Sequence, residues 1–199
     1  MENLNCAISF QAGTILWEYL LVAHPSEEIN TKILNEKRNF ENKYEQGSDA
    51  RFYPHITIAN FLAKESMEET LTRWIQNICN LQKSFIVTVN NYSGFPSSGL
   101  YLRIQNEEPF KRLANALKIL DGFMQSNDCP PLKLVSKPHI TFATGLSQYE
   151  FDNVIKEYAR KTFHESFKVD KLILLKRDVY TKSHLINTFI LPPPSTLFD

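Results

Sequence analysis

YPHITIANF, residues 53–61, has the composition of a buried strand, yet carries a histidine and a threonine. KPHITFATG, residues 137–145, repeats Pro-His-Ile-Thr letter for letter. Residues i and i+2 of a strand share a face. His55 and Thr57 therefore point one way, and Ile56 and Ile58 the other. His139 and Thr141 alternate with Ile140 and Phe142 in the same manner. The apolar set suits a core beneath a sheet. The polar set needs water, a ligand or a hydrogen-bond partner, because burying it unpaired is costly.

The same order of elements surrounds each copy. The first strand, from Glu18 to His24, leads into a helix opened by Pro25-Ser26-Glu27-Glu28, with Ser26 as N-cap. Its apolar stripe of Ile29, Ile33, Phe40 and Tyr44 predicts an end near Tyr44, before Gly47. The first PHIT strand (54–62) follows. Ser66-Met67-Glu68-Glu69 is then an S-x-x-E capping box opening a helix to about Leu81. A strand over Ser84–Val89, a turn over Asn90–Gly99 and a strand over Gly99–Ile104 come next. The pattern restarts with a helix from Pro109 to Met124, the second PHIT strand (138–145), a capping box at Ser147–Glu150 and a helix to about Phe163. Strands over Phe167–Leu175 and Leu185–Leu191 close the chain. Ser84-Phe85 and Ser166-Phe167 read as the openings of equivalent strands. This order predicts an internal duplication, two α+β lobes about an approximate two-fold axis. Residues 1–14 show no clear period and read as an N-terminal arm, with 15–199 as a single bilobal domain.

Bulk properties narrow the function. Of 199 residues, 43% are hydrophobic, enough for one folded domain. Lys+Arg and Asp+Glu are both 22, so the chain lacks the basic excess expected of a protein that grips long nucleic acid by its phosphates. A nucleotide, a short oligonucleotide or an RNA terminus fits better. Cys6, Cys79 and Cys129 are odd in number, widely spaced and without CxxC, which predicts free thiols in a reducing cytoplasm. ILWEYLLVA carries Glu18 and reads as a strand, neither a signal peptide nor a membrane span. Neither PHIT motif has the companions of a zinc site, and HExxH is absent, so no metal and no cofactor is expected.

If the two His-x-Thr faces line one groove, two imidazoles and two hydroxyls surround a common centre. That suits a phosphodiester. One neutral histidine takes a proton from the attacking oxygen, and the other, protonated, gives one to the leaving oxygen. Thr57 and Thr141 can donate to the non-bridging oxygens.

The paired motifs His55-Ile56-Thr57-Ile58 and His139-Ile140-Thr141-Phe142, each preceded by proline, resemble the two-histidine (2H) phosphoesterase superfamily, the 2′-5′ RNA ligase-like (LigT-like) proteins. The resemblance covers about Glu18 to Pro192. It implies a bilobal α+β fold, with antiparallel sheets around a central groove. It also implies metal-independent opening of 2′,3′-cyclic phosphates or cleavage of 2′-5′ linkages. His55 and His139 would be the acid–base pair, and Thr57 and Thr141 the phosphate ligands. Two rival readings are a nucleotide-binding sensor with the same groove and an RNA 2′-5′ ligase. Lys137 and Tyr53, each two residues before a histidine, are further candidate contacts. So are Arg177 at a strand end and, in the glycine-containing loop, Phe95 and Tyr92 as stacking groups. His24, His164 and His184 read as surface or structural. A cytoplasmic monomer is expected.

Overall fold

The structure, a computed structural model, describes residues 15–44, 53–96, 99–177 and 183–194. The expected arm over 1–14 and the helix stop at Gly47 lie outside them. The elements are β1 (Leu16–Ala23), α1 (Glu27–Tyr44), β2 (Ile56–Lys64), α2 (Glu68–Leu81), β3 (Phe85–Phe95), β4 (Gly99–Ile104), α3 (Glu108–Leu117), α4 (Ile119–Ser126), β5 (Lys133–Leu134), β6 (His139–Thr144), α5 (Gln148–Tyr158), β7 (His164–Val169), β8 (Lys171–Arg177) and β9 (Ser183–Ile190). Helices cover one face of a curled antiparallel sheet, an α+β layering in which each element buries its apolar side against the other. Among the described residues, no helix is long and apolar enough to cross a membrane.

The strand order is β7-β3-β4-β6-β2-β1-β8-β9, with β5 beside β2. The two PHIT strands are therefore central neighbours. They pair antiparallel at Ile56↔Ile140, the middle of both motifs. Ile56, Ile58, Ile140 and Phe142 are fully buried on the helix-covered face. Phe142 meets Phe40 of α1 edge-on at 5.6 Å, a preferred geometry for aromatic pairs.

Two lobes form, but not from contiguous halves of the chain. β3 lies beside β4 in the second lobe, while β8 and β9 lie beside β1 in the first. Ser84-Phe85 and Ser166-Phe167 are thus not equivalent openings; β3 and β7 pair with each other, Val87 opposite Phe167. The strand expected over 167–175 is two, divided at Asp170, whose carbonyl accepts from the Leu191 amide at 2.8 Å. That division carries the chain from one lobe to the other.

Local chemistry explains the remaining differences. At Ser66 no capping box forms. A 3₁₀ turn (Glu65–Met67) precedes α2, the Glu69 carboxylate pairs with Arg73 at 3.0 Å, and Glu65 and Glu68 are held by Lys176. At Ser147 both bonds of the box are present. No side-chain bond from Ser26 to the first turn of α1 is seen among the described residues. The helix expected over 109–124 breaks at Lys118, where the ladder tightens to i→i−3 bonds at Lys118 and Asp121. α5 stops at Tyr158, short of Phe163.

β3 runs on through Asn90–Phe95, where a loop was expected. Asn91, at φ 60, forms a bulge there, and its side-chain oxygen accepts from the Phe163 amide at 2.9 Å. The bulge flips the alternation and turns Tyr92 into the core against Phe142 and Tyr158, so Tyr92 is no stacking group for a ligand. Gly99 is required where β4 meets β6: a Cβ there would sit 2.0 Å from the Ala143 carbonyl oxygen. Gly99→Ala is expected to destabilise the protein by about 1–3 kcal/mol through overpacking, read as a lower urea midpoint at unchanged slope.

Candidate active site

Proline opens both central strands. It supplies no amide for a ladder, so it is tolerated at a strand's first residue. It also holds the residue before it extended. Here those residues are Tyr53 and Lys137, and their backbone carbonyls perform the same task twice. His55 Nδ1 lies 2.8 Å from Tyr53 O, and His139 Nδ1 lies 2.9 Å from Lys137 O. A carbonyl only accepts, so Nδ1 carries the proton in each bond. In the neutral ring Nε2 is then the basic nitrogen.

Antiparallel pairing at Ile56↔Ile140 sets His55 towards Thr141 and Thr57 towards His139, one residue either side. All four side chains are half-buried and share the face that the helices leave uncovered. The expected meeting of the two His-x-Thr faces is therefore present.

The two histidines have different surroundings. On the His139 side, β4 places Arg103 opposite His139 and Tyr101 opposite Thr141. Phe95 stacks on Tyr101 at 4.4 Å, and both rings contact His139, at 5.2 and 5.1 Å between centroids. Phe95 remains 39% exposed, so its ring is available to a ligand. The Lys137 ammonium stands 5.5 Å from the Tyr101 ring centre. Burial pushes the Tyr101 phenol up. Hydrogen bonding with Ser93 and Lys137, with the Lys137 and Arg103 charges, outweighs it and brings the phenol below its ordinary value.

On the His55 side stands His24. Its ring lies 6.2 Å from that of His55 and meets the exposed Tyr53 ring edge-on at 4.5 Å. His24 Nδ1 is 3.0 Å from Pro54 O, which ties the end of β1 to the entry of β2. Arg177, at the end of β8, is held 3.5 Å from Glu18, which also accepts from Asn60 at 2.7 Å. Burial pushes the His55 imidazole below its ordinary value. The positive fields of Arg177 and His139 add to this, against the opposing pull of the Tyr53 carbonyl. His164 and His184 are exposed, on β7 and β9. Among the described residues, no group of three or more His, Cys, Asp or Glu stands together as metal ligands.

Of the residues expected from sequence, His55, Thr57, His139, Thr141, Tyr53, Lys137, Phe95 and Arg177 all gather around this one face. Arg103 and Tyr101 were missed, as was the contact of His24 with His55. The strand over 99–104 was legible, but nothing local says which residue it sets beside His139.

Comparison with known proteins agrees with this architecture. E. coli LigT in its apo form matches with a TM-score of 0.67 at 17% identity, over 89% of this chain and 98% of LigT. LigT complexed with 3′-AMP matches with a TM-score of 0.62 at 17% identity, over 88% of this chain and 98% of LigT. Among curated proteins, one of Oceanobacillus iheyensis named as a candidate phosphoesterase is 23% identical over 180 residues, 87% of this chain and 98% of that protein. The model of the 2′-5′ RNA ligase superfamily matches residues 25–181, a span that holds both PHIT strands and, of the residues placed around the groove, all but His24, and the chain belongs to that superfamily.

Proposed function

We propose that the protein is a phosphodiesterase that acts on 2′,3′-cyclic phosphates or 2′-5′ linkages of nucleotides or RNA ends by two-histidine acid–base catalysis. One observation carries this reading: two imidazoles in matched settings, each with Nδ1 on the carbonyl two residues back, either side of the Ile56↔Ile140 pair. Such a pair has one nitrogen per ring free to exchange a proton. A superfamily that includes phosphoesterase-type proteins makes a hydrolase the natural class.

His55 suits the base. Burial and the neighbouring Arg177 favour its neutral form, and Nε2 accepts a proton from water as the water oxygen attacks phosphorus. His139, protonated, gives its Nε2 proton to the ester oxygen as the P–O bond breaks. The products are a phosphomonoester and a free hydroxyl, and the second proton exchange with water returns both rings to their starting forms. Thr57 and Thr141 hydroxyls donate to the non-bridging oxygens, with Arg103, Lys137 and Arg177 supplying positive charge nearby. Phe95 and Tyr101 form the face on which a nucleobase stacks beside His139. Crystal structures of LigT with ATP, 3′-AMP and NADP+ show that a protein of this fold accepts adenine nucleotides.

The sheet is continuous across both lobes, which supports one domain from residue 15 onward. Cys79 and Cys129 are buried free thiols, and burial pushes Cys79 up to about 12. Inert thiols of this kind suit a reducing cytoplasm.

The test is hydrolysis of the four 2′,3′-cyclic nucleotides and a 2′-5′-linked dinucleotide in EDTA. Turnover that resists chelation is expected. A loss restored by zinc would replace the mechanism with metal-assisted hydrolysis, and no turnover on any of these substrates would overturn the reading.

A further inference from the structure

The two sides of the groove differ in shape as well as in charge. On the His139 side the wall is aromatic. On the His55 side a cavity of about 830 Å³ adjoins the site, sharing His24 and Tyr53 with it. Its other walls include Lys168, Lys171 and Ile173 around the β7–β8 link, with Asn30 from the first turns of α1. Ile173 pairs with Val22, which pairs with Thr57, so this wall of the cavity shares the sheet face that carries the two motifs. Strands lie about 4.8 Å apart, which puts Ile173 roughly 10 Å from Thr57, within the length of one nucleoside.

The lining is chemically unspent. Among the described residues, neither Lys168 nor Lys171 pairs with a carboxylate. Asn30 is 7% exposed, and its buried side-chain oxygen has no hydrogen-bond partner, which costs free energy. Glu27 and Asp170 line the same cavity. Two carboxylates beside two ammonium groups leave no net attraction for a bare phosphate. The mixture suits a nucleoside instead, whose hydroxyl and amino groups donate and whose base carbonyls, ring nitrogens or next phosphate accept. The exposed Tyr53 ring offers it a face.

We propose that this cavity is a second nucleoside subsite, so that the preferred substrate is a linear phosphodiester with a nucleoside on each side. One nucleoside lies on Phe95 and Tyr101, the scissile phosphate between His55 and His139, and the other nucleoside in the cavity. A 2′,3′-cyclic phosphate carries a nucleoside on one side only and leaves the cavity to water. The inference rests on the phosphodiesterase reading and chooses between its two substrate classes.

The test compares kcat/KM for a 2′-5′-linked adenylyl dinucleotide and for 2′,3′-cyclic AMP. It uses the native protein and the double variant Lys168→Ala/Lys171→Ala, both exposed positions outside the reacting groups. The native protein is expected to favour the dinucleotide by about tenfold or more. The double variant loses most of that preference, while its turnover of the cyclic nucleotide stays within about twofold. Equal or better turnover of the cyclic nucleotide by the native protein overturns the second subsite and leaves the phosphodiesterase reading standing. A preference that survives in the double variant also overturns it. Absence of turnover on both substrates removes the phosphodiesterase reading itself.

Discussion

His55→Ala and His139→Ala are each expected to lower kcat about 10²–10⁴-fold, the contribution of a positioned acid or base. Each change removes one exchangeable Nε2 and leaves the other in place. Proton removal and proton delivery are needed in the same transition state, so the surviving ring cannot replace its partner. The double variant is accordingly expected to lose little more than either single one. Folding should survive, because both rings lie on the half-buried groove face while Ile56 and Ile140 fill the core beneath. The Nδ1 bond to the i−2 carbonyl is the interaction lost, worth about 0.5–1.5 kcal/mol. Circular dichroism and a urea midpoint check that the variants are folded. Full activity in both folded variants would sink the two-histidine mechanism.

The second large effect is on pH. A base that must be neutral and an acid that must be protonated give a bell-shaped kcat/KM profile. Because burial, Arg177 and His139 depress His55, the acid limb is expected at lower pH than an ordinary imidazole would set, and activity falls about tenfold per pH unit below it. Arg177→Gln removes one positive charge whose field acts on His55. The imidazolium is then easier to form, the pKa rises, and less neutral base is present at a given acidic pH. The acid limb should therefore move to higher pH, whatever happens to the plateau. A limb that stays in place would show that the field of Arg177 does not reach the base, and a limb that moves to lower pH would exclude His55 from that role.

The depth of the sequence signal differs from element to element. Both PHIT strands were legible because each combines an apolar alternation with a proline entry, and both are chemistry of consecutive residues. Ser147 and Glu150 formed their box for the same reason. Ser66 and Glu69 carry the same spacing, but Arg73 and Lys176 compete for the carboxylates of that turn, and Lys176 comes from β8, more than a hundred residues away. The bulge at Asn91 and the break at Asp170 were missed because each is decided by a partner strand. A single inserted residue inverts every later side chain, which is how Tyr92 came to be core while Phe95 remained at the site.

The two motifs, their faces, the α+β layering and eight of the residues around the groove were legible in the chain. These depend on periodicity and on spacing of one or two residues, which the chain carries locally. Pairing between distant strands decided that Ile56 meets Ile140, that β8 returns to β1 with the charge of Arg177 felt at His55, and that β4 sets Arg103 and Tyr101 beside His139. It also decided that the β7–β8 link and His24 line one cavity. Register and crossover are properties of pairs of strands far apart in sequence, set by hydrogen bonding and packing between them. The same pairing makes the two sides of a symmetric motif chemically unequal, with a cavity on one side and aromatic rings on the other.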